Sequence, residues 1–251
     1  METTEKELYT RLRRRFQKGL TDYGLIDEGD RILVALSGGK DSLALAELLA
    51  ARSRVWHPRF EVEAAHVVMA NIGYRTDTAF LHDFCRGLGI PLHVVEATFD
   101  ATGDTRKSPC FLCSWNRRKA LFTLAQERKC NKIALGHHMD DILQTLLMNL
   151  TYQGAFSTMP PLLRMRKFPI TLIRPLCLVH EADIAALARL RDWPAQLKAC
   201  PYEHDSGRTD IADILRRLEE LNPEARYSLW GAMGNVQEEL LPHPTAGNVL
   251  K

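Results

Sequence analysis

No run of uncharged apolar residues in this 251-residue sequence approaches the ~20 needed to cross a bilayer. Residues 1–16 are rich in charge and hold no apolar stretch of the secretion-signal type, which predicts a cytoplasmic protein with no membrane partner. There is no internal repeat, no low-complexity segment and no Pro/Gly/Ser linker long enough to separate large domains from each other. Net charge is nearly absent, because 33 Lys and Arg stand against 31 Asp and Glu. Any polyanion-binding face must therefore be local. Cysteine is sparse as well: of six, only Cys110 and Cys113 form a local motif, and a reducing compartment disfavours a disulfide framework. A chain of this length buries a sizeable core without staples, so a metal site would serve function rather than folding.

Charge is unevenly placed along the chain. Arg11, Arg13, Arg14, Arg15 and Lys18 lie near the start, Arg106, Lys107, Arg117, Arg118 and Lys119 flank the cysteine pair, and Arg164, Arg166, Lys167 and Arg174 follow. No acid interrupts any of the three stretches. They suggest a polyanion-binding face, with solvated helix surface as the alternative.

Apolar periodicity predicts helices over 5–20, 42–51, 76–88, 114–128, 140–151 and 181–191, and strands over 31–36, 62–69, 92–96, 132–135 and 170–173. Short apolar strands alternating with helices imply βαβ units. The expected fold class is α/β: a mostly parallel, doubly wound sheet of about five strands, with an N-terminal helix and a C-terminal helical segment over 210–221 and 224–236. The expected organisation is a helical segment 1–28, an α/β nucleotide-binding domain 29–196 and a C-terminal segment 197–251. Ligands of such sheets bind at the carboxyl ends of the strands.

At the end of the first strand the chain reads Ser37-Gly38-Gly39-Lys40-Asp41-Ser42 and then enters a helix. Two glycines let the backbone approach an anion, the helix N-terminus offers N–H groups, and Ser37, Lys40 and Ser42 add donors. The spacing differs from Walker A, and Asp41 follows the lysine where Walker A has Ser or Thr. A carboxylate beside a phosphate site suits a bridging Mg²⁺. At the end of the strand over 132–135 stands Gly136-His137-His138-Met139-Asp140-Asp141, again leading into a helix. One aspartate can cap that helix; two exceed what a cap needs, and one is a candidate for holding Mg²⁺ or moving a proton.

Cys110-Phe111-Leu112-Cys113 is compatible with a redox pair, half a zinc site or two ligands of an iron–sulfur cluster. A second Cys-x-x-Cys is missing, because Glu203 stands three residues after Cys200. Three thiolates, Cys110, Cys113 and Cys200, can hold a 4Fe-4S cluster that leaves one iron without a protein ligand and able to take sulfide. Cys85, Cys130 and Cys177 read as buried packing residues.

Ser37 to Ser42 resembles the signature of the PP-loop ATP pyrophosphatases, which cleave ATP between its α and β phosphates. Taken with the Gly-His-His-x-Asp-Asp run, the Cys-x-x-Cys followed by Ser114, Arg117 and Arg118, Met159-Pro160-Pro161, Ile173-Arg174-Pro175-Leu176 and the distal Cys200-Pro201, the sequence resembles the TtcA family of tRNA 2-thiocytidine synthetases over about residues 25–240. The resemblance implies an adenine nucleotide alpha hydrolase-like fold and an ATP-dependent sulfurtransferase acting on a pyrimidine C2 of tRNA, most often cytidine 32. Carried over, Ser37, Gly38, Gly39, Lys40, Asp41 and Ser42 bind pyrophosphate with Asp41 near Mg²⁺, and Gly136 and His137 lie near the nucleotide. Asp141 is the catalytic carboxylate, Cys110, Cys113 and Cys200 hold the cluster, and Arg117 stabilises negative charge or binds tRNA phosphate. Trp115 is a candidate stacking surface, with a packed indole as the alternative. A sulfur donor (sulfide or a persulfide, as from a cysteine desulfurase) and a homodimer are implied too. Two departures stand out: the family's second distal cysteine is Glu203 here, and the loop over 70–74 is short. The rival functions are a ligase of the lysidine-synthetase type, which needs none of the cysteines, and a non-catalytic sensor of ATP or cluster.

Overall fold

The computed structural model describes residues 4–71, 76–100, 108–194 and 207–242. Its elements run α1 (Glu5–Asp22), β1 (Arg31–Ala35), α2 (Lys40–Ser53), β2 (Glu61–Met69), α3 (Thr78–Leu88), β3 (Leu92–Ala97), α4 (Pro109–Glu127), β4 (Lys132–Ala134), α5 (Met139–Met148), a π-helical turn (Asn149–Gln153), β5 (Leu162–Arg164), β6 (Thr171–Ile173), α6 (Glu181–Leu190), α7 (Arg208–Leu221) and α8 (Ala225–Ala232). The chain forms two compact units, Met1–Ile142 with Thr158–Asp205 and Leu143–Ser157 with Ser206–Lys251, the division falling inside α5.

In the first unit six strands form one sheet in the order β3-β2-β1-β4-β6-β5. All neighbours pair parallel except β5 and β6. The α/β class and the five expected strands are present. A sixth, β5, joins the about five expected; it is three residues long and half exposed, so it leaves no apolar run to read.

The central strands are apolar on both faces, and their side-chain alternation sorts them into two cores. Ile32, Val34, Val62, Ala64 and Ala134 pack with α1, α2, α3 and α6, whereas Leu33, Ala65, Val67 and Ile133 pack with Leu121, Phe122 and Ala125 of α4. The sheet is thus covered on both sides, as a doubly wound fold requires. Burying an aliphatic side chain of this kind contributes about 1.5–3 kcal/mol.

Local chemistry sets the helix ends. Thr4 and Glu7 cap α1 reciprocally, and Leu8, Leu12, Phe16 and Leu20, four residues apart, bury its inner stripe. Asp77 caps α3, which ends at Gly89 in the left-handed conformation. Ser108 accepts the Phe111 N–H and Pro109 occupies the first turn of α4, so this helix begins well before the expected residue 114. Cys110 and Cys113 consequently lie on the helix rather than ahead of it.

At the amino ends of the strands, ion pairs tie the frame together. Lys132 binds Asp30 at 2.6 Å and the Leu25 carbonyl at 3.0 Å, and the Glu63 carboxylate is held by Arg31, His93 and Arg128. In the second unit Ile211 and Leu215 of α7 are buried, and Arg226 of α8 forks onto Glu219 of α7 at 2.7 and 2.8 Å. No helix of the described residues is long and apolar enough to cross a membrane.

Candidate functional site

Strand order reverses at β1, since β2 lies on one side of it and β4 on the other. Loops leaving adjacent strands at such a point diverge to opposite faces and leave a crevice between them. Here those loops are Ser37–Gly39 after β1 and Gly136–His138 after β4, the two motifs read from the sequence.

The first loop is built around its glycines. Gly38 has φ +90°, and a Cβ there would fall 2.6 Å from Thr76 Cγ2. Gly39 precedes α2 in extended conformation. The Gly38 N–H donates to Ser42 Oγ at 3.2 Å and the Gly39 N–H to Ser37 Oγ at 3.3 Å. Ser42 Oγ in turn donates to the Gly39 carbonyl at 2.8 Å. The Lys40 ammonium touches both Asp41 oxygens at 3.0 and 3.1 Å and Glu181 Oε1 at 3.0 Å. Burial alone would lower the lysine pKa, but Asp41 and Glu181 outweigh it and hold the pKa above its ordinary value.

The second loop packs on the first. A Cβ on Gly136 would meet the Asp41 carbonyl carbon and the Ser42 nitrogen at 3.1 Å each. His138, 4% exposed, lies with its ring 3.4 Å from Asp141 Oδ2 and 3.8 Å from Asp41 Oδ1. The His138 backbone N–H donates to Asp141 Oδ2 at 3.1 Å, which fixes that carboxylate. Asp140 is buried and accepts the Glu181 N–H at 2.9 Å, serving the start of α6. Both adjacent aspartates face His138, Asp140 Oδ2 at 3.6 Å and Asp141 Oδ2 at 3.4 Å, and Asp140 alone also serves the start of a neighbouring helix. Arg174 Nε donates to His137 Nδ1 at 3.2 Å and Arg174 Nη1 to the Pro160 carbonyl at 2.6 Å. Arg174 is buried, so it leaves the expected basic surface cluster and becomes a support for His137.

On the other face, Ser37, Leu36, His66 of β2 and Arg117 of α4 line a cavity of about 60 Å³. Arg117 Nε is buried there without a hydrogen-bond partner. His66 Nδ1 donates to the Leu36 carbonyl at 2.8 Å. Burial, with help from the Arg117 charge, lowers the His66 pKa, so the ring stays neutral to lower pH than an ordinary histidine. His66, Glu181 and the supporting role of Arg174 were not readable as site features in sequence. For His66 the signal was a polar residue in the carboxyl half of a strand that is otherwise apolar after Glu63.

Cys110 and Cys113 stand one helical turn apart near the start of α4, Cys110 exposed and Cys113 half-buried, as thiols rather than a disulfide. Cys200, Arg106, Lys107 and residues 72–74 lie outside the described residues, and the described residues contain no group of three or more metal-ligating side chains. Cys85, Cys130 and Cys177 are buried, and desolvation raises their thiols to about 11, 11 and 12, as packing residues require. Trp115 is half exposed, with Lys119 Nζ 5.7 Å from its ring centre. The N-terminal basic cluster is only partly available: Arg11 and Arg15 both bind Asp183 of α6, at 2.7 and 2.8 Å, and Lys18 binds Asp22.

Residues 8–195 match the model of a family described as a PP-loop domain. The chain is 39% identical over 244 residues to a tRNA-cytidine(32) 2-sulfurtransferase of Syntrophotalea carbinolica, covering 94% of this chain and 93% of that one. It is 35% identical over 247 residues to the protein of the same name in Geotalea uraniireducens, covering 96% and 97%. Among solved structures it is similar to the U34-tRNA thiolase NcsA from Methanococcus maripaludis with its 4Fe-4S cluster, with a TM-score of 0.73 and 29% identity over 93% of this chain and 80% of that chain.

Proposed function

The chain belongs to the PP-loop family and, within it, to the family of the tRNA-cytidine(32) 2-sulfurtransferases, and from that premise we propose that it is an ATP-dependent transferase that thiolates tRNA. In this reading it adenylates the oxygen on C2 of a pyrimidine, cytidine 32 in first place, with release of pyrophosphate, and sulfide then takes the place of that oxygen, which leaves with AMP. The observation that carries the reading is the cavity shared by Ser37 and Arg117. It sets the phosphate loop against the helix that bears the cysteine pair, which is what adenylation and sulfur delivery at one carbon require.

Each residue has a role. The loop from Ser37 to Ser42 holds pyrophosphate through backbone N–H groups, with Lys40 supplying positive charge. Gly136 and His137 lie beside the nucleotide, Arg174 holding the His137 ring. Asp141, fixed by the His138 N–H, handles a proton at the reacting base. Arg117, whose Nε has no acceptor, stabilises negative charge developing at the reacting oxygen or phosphate. Mg²⁺ would be held by Asp41 together with phosphate oxygens, and would offset their charge when bound. Cys110 and Cys113 fit a cluster, being solvent-reaching thiols one turn apart, with Cys200 assigned as the third ligand. A 4Fe-4S cluster held there would supply sulfide for a carbon whose oxygen leaves poorly until adenylated. The sulfur comes from sulfide or a persulfide, as from a cysteine desulfurase, and the reading brings with it a cytoplasmic homodimer.

The product test is mass analysis of tRNA nucleosides from a strain lacking the gene. Loss of 2-thiocytidine, restored by the wild-type gene and not by the Asp141→Asn variant, is the expected result; an unchanged nucleoside profile overturns it. After anaerobic reconstitution, about four iron and four sulfide per chain are expected, falling sharply in Cys200→Ala. Little iron in the wild type would turn the reading toward ligase chemistry or a Cys110/Cys113 persulfide route.

A further inference from the structure

The N-terminal arginines divide between two sides of α1. Arg11 and Arg15 face Asp183, whereas Thr10, Arg13, Arg14 and Gln17, spaced i, i+3, i+4 and i+7, line a groove of about 360 Å³ against the carboxyl end of α2. Arg52 closes the groove from α2. Its Nε donates to Gln17 Oε1 at 3.1 Å and its Nη2 to the His57 carbonyl at 2.8 Å, which holds the guanidinium in place. Its Nη1 is buried and has no hydrogen-bond partner. No acid lines the groove, so three guanidiniums face one space without a carboxylate to answer them.

We propose that this groove binds the phosphodiester backbone of the RNA substrate, at a second point of contact away from the reacting loops; the inference rests on the RNA reading above. Twelve residues of α2 separate Lys40 from Arg52, which is roughly 18 Å along a helix axis. A contact this far away positions an RNA without touching its reacting base. A pre-held guanidinium with an unused N–H and two exposed arginines suits phosphate oxygens, which accept forked hydrogen bonds. Trp56, immediately beyond groove residue Val55, is 69% exposed, with the Arg59 guanidinium 3.7 Å from its ring centre. It extends the same surface with groups suited to unpaired bases and phosphates.

The test is equilibrium binding of an unmodified tRNA transcript to the full chain across a salt series. Arg13→Gln/Arg14→Gln together with Arg52→Gln is expected to weaken binding about tenfold and to reduce the slope of log K against log salt by about two to three. Arg52→Lys keeps the charge but not the fork, and is expected to preserve the salt slope while losing part of the affinity. The Arg13→Gln/Arg14→Gln pair alone changes only exposed side chains, so its loss of affinity cannot come from unfolding; thermal melting and ATP binding are expected to match wild type. Wild type that binds tRNA while the variants equal it in affinity and slope overturns the groove alone. Wild type that does not bind tRNA overturns the RNA reading and the groove with it. Poly-glutamate that binds wild type and not the variants, while the variants keep wild-type tRNA affinity and salt slope, would assign the groove to an acidic protein segment and overturn the proposal.

Discussion

Gly136 and Asp41 meet backbone to backbone: a Cβ on the glycine would stand 3.1 Å from the carbonyl carbon of the aspartate. Two loops from neighbouring strands are thereby held at a spacing that no other residue type at position 136 allows without movement. Because the obstacle is main chain, it cannot swing aside as a flexible side chain would.

Gly136→Ala is therefore expected to destabilise the protein by about 1–3 kcal/mol in urea unfolding. ATP-dependent AMP release in the presence of tRNA should fall at least about tenfold, because a small displacement of a binding loop costs much in rate. Wild-type rates in this variant would mean that the two loops do not depend on each other's position.

The adjacent aspartates are separable by experiment. Asp140→Ala removes the acceptor for the Glu181 N–H and should cost about 1 kcal/mol of stability. Asp141→Asn keeps an acceptor for the His138 N–H, so its stability should stay close to wild type while thiolation falls about a hundredfold or more. The reverse pattern, with Asp140→Ala inactive but stable and Asp141→Asn active, would exchange the two roles.

Much of this was legible in the sequence because it is local. Ser37 to Ser42 and Gly136 to Asp141 announce themselves by contiguous residues, and the strands over 31–36 and 62–69 by apolar runs. Contacts that join distant positions left no such trace. Neither the pairing of β5 with β6 nor the pairing of Arg11 and Arg15 with Asp183 has a local pattern. The start of α4 was readable from Ser108-Pro109, a cap followed by a first-turn proline, yet the cysteine motif drew the boundary too late. Asp140 and Asp141 looked alike in sequence because only the position of α6 distinguishes them.

Alkylation should sort the described cysteines in metal-free protein at about pH 8. Cys110 is exposed and is expected to react first, followed by Cys113. Cys85, Cys130 and Cys177, with thiols near 11, 11 and 12, would carry at most about one thiolate in a thousand molecules and should react only on unfolding. Peptide mass mapping reads the order. Modification of Cys177 at the rate of Cys110 would contradict the packing described here.

His66 gives stability a pH dependence of known sign. Its pKa in the folded protein lies below the ordinary 6.5, chiefly through burial. Above 6.5 both folded and unfolded chains carry it neutral, and the full stability is present. As pH falls below 6.5 the unfolded chain takes up a proton first, so stability declines until the folded pKa is passed. Urea midpoints at about pH 5 and about pH 7.5 should therefore differ more in wild type than in His66→Gln. An equal difference in both proteins would remove His66 as the cause.

The two serines that flank the glycines, Ser37 and Ser42, already satisfy the N–H groups of Gly38 and Gly39. In the proposed function their hydroxyls would stand in for phosphate oxygens, and pyrophosphate would enter by exchange of partners rather than by ordering a slack segment. At 3.2 and 3.3 Å these are long bonds, readily surrendered to a charged acceptor and readily re-formed after it departs. Under the proposed adenylation, a loop that returns to its own hydrogen bonds would carry a built-in competitor for its product, and that competition would favour the escape of pyrophosphate over its retention.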